Sequence, residues 1–273
     1  MLPIVAAFAE DTRVIAEDAP QYNATLVKRV DHSADLASVW VRFDGEPVPF
    51  EPGQYMTIGV FADDKLWQRP YSVASAPSVA GTEGYEFYVR LVPIIRFTTL
   101  LWRLQPGARM RMIGPKGKFM LEPSDNRTHL YVSTGTGLAP FMAMIRETQA
   151  QGKPRKTVVL HGVSHASDLG YREELEAMER DGSYPVRYVP TISRPGEPRN
   201  AGWAGRTEPG RGCWRCSIWC MPGGTSFPPP RSTALSSAVS TTRRPGGSSS
   251  TTTASSAATA RPPAPRTCAS TRR

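Results

Sequence analysis

The sequence predicts two unlike domains in series, an antiparallel β-barrel followed by an α/β parallel sheet, and then a tail that fits neither. Three observations predict this. Between residues 21 and about 124, short β-rich runs alternate with Gly- and Pro-containing turns, the signature of a small antiparallel barrel. Between 127 and about 206, strand and helix patterns alternate in a βαβαβ order, which calls for a parallel sheet with helices on its faces. From 207 to 273 neither period survives.

Residues 1–20 read as an extension with room for a short helix. The barrel runs are Ala24–Val30, Leu36–Phe43, Gln54–Val60, Tyr71–Ala74, Tyr85–Leu91 and Arg109–Ile113. Phe50-Glu51-Pro52-Gly53-Gln54-Tyr55 is a turn feeding the third run, with Pro52 presetting φ and Gly53 tolerating a positive one. Phe97-Thr98 opens a short helix, Thr99–Leu104, stopped by Pro106-Gly107. In the second domain, strand His129–Ser133 leads through Thr134-Gly135-Thr136-Gly137-Leu138-Ala139-Pro140 into a helix. Phe141, Met144, Ile145 and Thr148 mark that helix's inner face. Strand Thr157–Val163, helix Asp168–Arg180 and strand Val186–Thr191 complete the pattern.

Charge divides the chain in the same place. The net charge is +9. Residues 1–208 hold 24 basic and 24 acidic side chains, and 209–273 hold nine Arg with no Lys, Asp or Glu. A basic total would suggest a nucleic-acid partner, but here it belongs to the tail, and no specific nucleic-acid site is expected. All four cysteines (Cys213, Cys216, Cys220, Cys268) lie there too, so the body can form neither a disulfide nor a Cys-ligated iron–sulfur cluster. No apolar run approaches the ~20 residues of a membrane span. The apolar start lacks a positive n-region, and cytoplasm is the default location. His161 and His165 show no carboxylate or Cys at ligand spacing; they are read as structural or exposed, with no metal site.

Two motifs carry chemistry. Arg69-Pro70-Tyr71-Ser72 puts a cation, an aromatic face and a hydroxyl within four residues. That suits a ligand with a flat ring and a pyrophosphate, which a guanidinium grips by two parallel hydrogen bonds. About sixty residues later, Gly135 and Gly137 follow a strand and open a helix, where backbone amides and the helix dipole favour phosphate. Together, in this order, they resemble the ferredoxin–NADP reductase family of flavoproteins. The likeness extends over residues 22–206, including Gly114-Pro115-Lys116-Gly117-Lys118-Phe119.

The resemblance implies FAD on the barrel and NADP(H) on the parallel sheet. Tyr71 and Ser72 would be the catalytic pair, Tyr71 stacking on the isoalloxazine and Ser72 bonding near N5. Arg69 would hold the pyrophosphate. Tyr88, Val89 and Arg90 would line the flavin, and Phe97 and Thr98 would meet phosphate at the helix start, Thr98 capping it. Thr134, Gly135, Thr136 and Gly137 would cradle the nicotinamide nucleotide, and Arg194 and Arg206 would contact its 2′-phosphate. The family's Gly-rich turn before the first helix is replaced by Pro93-Ile94-Ile95-Arg96, whose β-branched pair resists positive φ.

In the tail, 22 of 65 residues from Pro209 onward are Ser or Thr and nine are Pro, a composition that reads as disordered. It leaves the parallel sheet with three strands, and the family's later strands, Cys-Gly turn and C-terminal segment are not recognisable. A frame slip in a GC-rich gene near codons 205–212 is the preferred explanation; the other two frames should then recover a Cys-Gly turn and a terminal aromatic segment. The expected activity is electron transfer between NADPH and a ferredoxin or flavodoxin, by a monomer. Arg90, Arg96, Arg103, Lys116 and Lys118 are candidate docking cations for such an acidic carrier. The alternatives are a reductase component of an oxygenase system and a flavin-binding protein without turnover.

Overall fold

A computed structural model of the 273-residue chain describes residues 13–122 and 126–207. The tail and its cysteines therefore lie outside the described residues, as does most of the N-terminal extension.

The first half is a six-stranded antiparallel barrel. Strands β1 (Ala24–Ser33), β2 (Leu36–Phe43), β3 (Tyr55–Ala62), β4 (Lys65–Ser72), β5 (Tyr85–Arg90) and β6 (Arg109–Lys116) pair in the order β4-β3-β6-β1-β2-β5. The ends of this list meet: Val73 bridges Phe87, and Ala74 N donates to Glu86 O at 2.8 Å. Closure removes the open edges of the sheet. Period-two alternation fills the interior with Met56, Ile58, Val60, Met110, Met112, Phe87 and Val89. The β3–β4 hairpin turns on Asp63 and Asp64 at φ 50° and 57°, the left-handed pair that a two-residue hairpin loop requires.

Three features differ from the sequence expectation. The fourth strand is Lys65–Ser72 rather than Tyr71–Ala74; Pro70 is accommodated in the exposed stretch Gln68–Pro70. Helix α1 (Pro77–Glu83) was not foreseen; its seven residues contain Gly81 and show no apolar repeat. Helix α2 is Arg96–Arg103, three residues earlier than expected. Its cap residue is Ile95, at φ −96°, not Thr98, which lies inside the helix with its hydroxyl spent on Val92 and Ile95 backbone atoms. The Pro93–Arg96 segment thus avoids positive φ altogether, turning by a 2.8 Å bond from Ile95 N to Val92 O.

The second half is a parallel sheet: β7 (His129–Thr134), β8 (Thr157–Val163), β9 (Val186–Ile192) and β10 (Arg206–Thr207), in the order β10-β9-β8-β7. The two-residue β10, parallel to β9, corrects the expected count of three strands. Helix α3 (Ala139–Ala150) buries Met142, Ala143, Met144, Ile145 and Thr148. Helix α4 is Arg172–Asp181, ending on left-handed Gly182; a 3₁₀ turn, Ala166–Asp168, occupies its expected start. Among the described residues no helix is long and apolar enough to cross a membrane.

Strand β5 joins the halves. Tyr85, Phe87 and Val89 face the barrel core. The alternate residues Glu86, Tyr88 and Arg90 face the parallel-sheet half, where they meet its polar groups. Arg146 of α3 clasps Glu174 through Nε and Nη2 at 2.7 and 2.6 Å, and donates through Nη1 to Glu86 at 2.6 Å and Ala74 O at 2.9 Å. Tyr171 donates to the other oxygen of Glu86 at 2.7 Å. Arg90 bridges Asp35 and Asp168 at 2.9 and 2.8 Å. Tyr88 Oη accepts from Gly170 N and donates to Asp168 O. Burial opposes the Arg146 charge, but the bond to Glu174 and the charges of Glu86 and Glu174 outweigh it and raise its pKa.

Candidate functional site

The flavin-type motif lies along β4. Tyr71 is opposite Met56 and Ser72 opposite Tyr55, both half-buried, while Arg69 is exposed. The Tyr71 ring sits 5.9 Å from Phe97 of α2, so the strand end and the helix start share one region. Arg96, the first residue of α2, lies 5.1 Å over the Trp67 ring, as does Arg13, with the Lys65 ammonium at 4.7 Å. An aromatic face, several cations and a helix start thus lie in one region. Burial pushes the Tyr71 phenol up to about 12, so it stays neutral at physiological pH.

Other sequence-selected side chains are engaged elsewhere. Phe97 and Thr98 are buried at 1% and 3% exposure. Tyr88 and Val89 are buried in the seam and the barrel core. Arg90 is held by two carboxylates, which removes it from the candidate docking cations. Tyr88 and Val89 present almost no side-chain surface, while the Arg90 side chain is 29% exposed. Arg96, Arg103, Lys116 and Lys118 are exposed.

The nucleotide-type motif forms a 3₁₀ turn, Gly135–Leu138, between β7 and α3. Gly135 takes φ +51°, and a Cβ added at Gly135 or Gly137 would meet no atom within 4 Å. Both glycines therefore border open space rather than relieving an internal clash, and that space suits a phosphate group. Thr134 is exposed at the end of β7 and Thr136 is half-buried. Arg194, beyond β9, is 55% exposed and 3.4 Å from Glu197. Arg206 is placed only as a strand residue of β10 beside Thr191.

His161 is fully buried, within 3.0 Å of Gly135 O and 3.1 Å of the Tyr188 hydroxyl. Two carboxylates reach His165, which is buried: Glu197 lies 2.7 Å from its Nε2, and Asp168, three residues on, lies 3.4 Å from its Nδ1. The sequence reading also missed the Arg146–Glu86–Glu174 cluster. Its one local trace is an Arg closing the otherwise neutral run Ala139–Ile145.

Fold and site together define a two-domain oxidoreductase that takes a flavin on a barrel and a nicotinamide nucleotide on a parallel sheet. Residues 23–121 match the oxidoreductase FAD-binding domain and residues 131–208 the oxidoreductase NAD-binding domain. Ferredoxin–NADP reductase B of Sorangium cellulosum is 36% identical over 60% of this chain and 65% of its own length. Ferredoxin–NADP reductase of Azotobacter vinelandii is 32% identical over 63% of this chain and 69% of its own. The crystal structure of the Amycolatopsis cytochrome P450 reductase GcoB superposes with a TM-score of 0.58 at 28% identity, covering 68% of this chain and 54% of that one. The chain belongs to the ferredoxin–NADP reductase family, and it spans about two thirds of the Sorangium and Azotobacter relatives' length.

Proposed function

We propose that this chain is a flavoprotein reductase that passes electrons between NADPH and a ferredoxin or flavodoxin through FAD. The observation that carries the reading is the pairing of motifs on one body: the Arg69–Ser72 strand beside the α2 start, and the Gly135–Gly137 turn opening onto free space. When bound, FAD supplies a ring that accepts a hydride and releases electrons singly. The chain's own residues bind and orient. Arg69 neutralises pyrophosphate, the neutral Tyr71 ring stacks on the flavin, and Ser72 offers its hydroxyl to a ring nitrogen. The Gly135–Leu138 amides take nicotinamide-nucleotide phosphate, with Arg194 and Arg206 favouring the 2′-phosphate. Holding two rings in contact converts a bimolecular encounter into a positioned one. The domain limits we assign are 21–124 for the barrel and 127–206 for the partial sheet.

Anaerobic NADPH titration of the FAD-loaded full chain tests this. Bleaching of the visible flavin bands is expected. A coloured protein that NADPH fails to bleach would reduce the chain to a flavin binder without turnover, a reading favoured by the sheet's having four strands among the described residues. A reductase component serving an oxygenase is the second reading, favoured by the likeness to a cytochrome P450 reductase. Turnover with ferredoxin, flavodoxin or an oxygenase as acceptor separates these.

A further inference from the structure

We infer that His161 is a positioning residue for the nucleotide turn, aiming the Thr136 amide at the ligand by holding the Gly135 carbonyl in the opposite direction. The inference rests on the nicotinamide-nucleotide reading of that turn.

His161 lies on β8, in register with Ser133 of β7 and Pro190 of β9. Its Nε2 is 3.0 Å from the Gly135 carbonyl oxygen. A carbonyl only accepts, so Nε2 carries the hydrogen. The neutral imidazole then has an acceptor at Nδ1. Tyr188 Oη is 3.1 Å away and donates to it. A relay therefore runs from Tyr188 on β9, through His161 on β8, to the residue following β7. The carbonyl, which can only accept, fixes the tautomer, and the tyrosine hydroxyl satisfies the remaining ring nitrogen.

The peptide unit between Gly135 and Thr136 is planar and trans, so its C=O and N–H point in opposite directions. Drawing the Gly135 oxygen inward to a fully buried side chain sends the Thr136 N–H outward. Open space borders the same turn, since Cβ atoms added at Gly135 and Gly137 would meet nothing within 4 Å. Gly135 reaches this orientation at φ +51°, which a left-handed residue adopts readily only as Gly. Burial keeps the imidazole neutral, with its pKa lowered to about 4, so the relay holds one proton arrangement across physiological pH.

The test uses the FAD-loaded full chain with His161→Leu, His161→Gln and Tyr188→Phe. NADPH dissociation constants, steady-state kinetics and the ¹⁵N signals of the His161 ring are measured. The wild type should show the Nε2–H tautomer. His161→Leu should raise the NADPH dissociation constant and KM about tenfold with kcat unchanged. Tyr188→Phe, which leaves Nδ1 without its donor, should raise them about threefold while the Nε2–H tautomer persists. His161→Gln, whose amide can donate to the same carbonyl, should restore most of the affinity. All three should keep their FAD.

Wild-type affinity in His161→Leu would overturn the inference, and so would an Nδ1–H tautomer in the wild type. A variant that loses FAD and kcat together would show a merely structural role. If His161→Leu fails to fold, Tyr188→Phe decides, and unchanged NADPH affinity there overturns the inference. A wild type that binds no NADPH overturns the nucleotide reading itself, which separates that failure from one confined to His161.

Discussion

His161 carries a pH signature apart from any ligand. Its pKa falls from 6.5 to about 4 because burial disfavours the charged ring, partly offset by the Gly135 carbonyl. The unfolded chain therefore binds the extra proton first as pH drops. Stability from this group is complete above about pH 6.5 and drains away as pH falls toward 4, by roughly 3 kcal/mol in all. Urea midpoints between pH 7.5 and 4.5 should fall more steeply in the wild type than in His161→Gln, and parallel slopes would show that the ring does not titrate this way. Arg69 differs because it is exposed. Arg69→Ala should leave stability within ~0.5 kcal/mol. It should weaken FAD roughly tenfold to a hundredfold, the value of a lost charge-assisted pair, as read by FAD fluorescence on titration.

Among the elements, the Gly135–Leu138 turn makes a sharp distinction possible. A methyl at Gly137 would touch nothing in the protein, so Gly137→Ala should not destabilise the fold. The same methyl occupies the space assigned to phosphate, and NADPH affinity should fall on the order of tenfold, equivalent to about 1.4 kcal/mol. Unaltered affinity would mean that the ligand does not approach there. Elements such as β2 and β8 were legible in sequence to the residue, because runs like Thr157-Val158-Val159-Leu160 are strongly β-forming and bounded by turns. Residues 65–70 of β4 were not, since Gln68-Arg69-Pro70 is polar, exposed and contains Pro. The turn and the Arg69–Ser72 strand could be read because each is contiguous. The seam contacts of Tyr88 and Arg90 could not be foreseen, because β5 packs on both faces, which no single strand's pattern reveals. His165 is structural as expected, but its partner Glu197 could not be foreseen, lying 32 residues away.

The whole molecule depends on the seam. Arg146, Glu86 and Glu174 come from α3, β5 and α4, with separations of 60 and 28 residues, so nothing local in the sequence announces them. Arg146→Met leaves Glu86, 4% exposed, with a buried charge lacking its main partner. That should cost about 3–5 kcal/mol, measured by urea unfolding, and adding Glu86→Gln should recover part of it. A loss below ~1 kcal/mol would mean that water already screens the pair.

Such a joint makes the two halves share one fate. A flavin gripped only by the barrel should also quieten the amides of Val159 and Leu160 on β8, slowing their exchange with heavy water although no part of the dye touches them. At a hundredfold excess over its dissociation constant, that borrowed protection would approach about 2.7 kcal/mol.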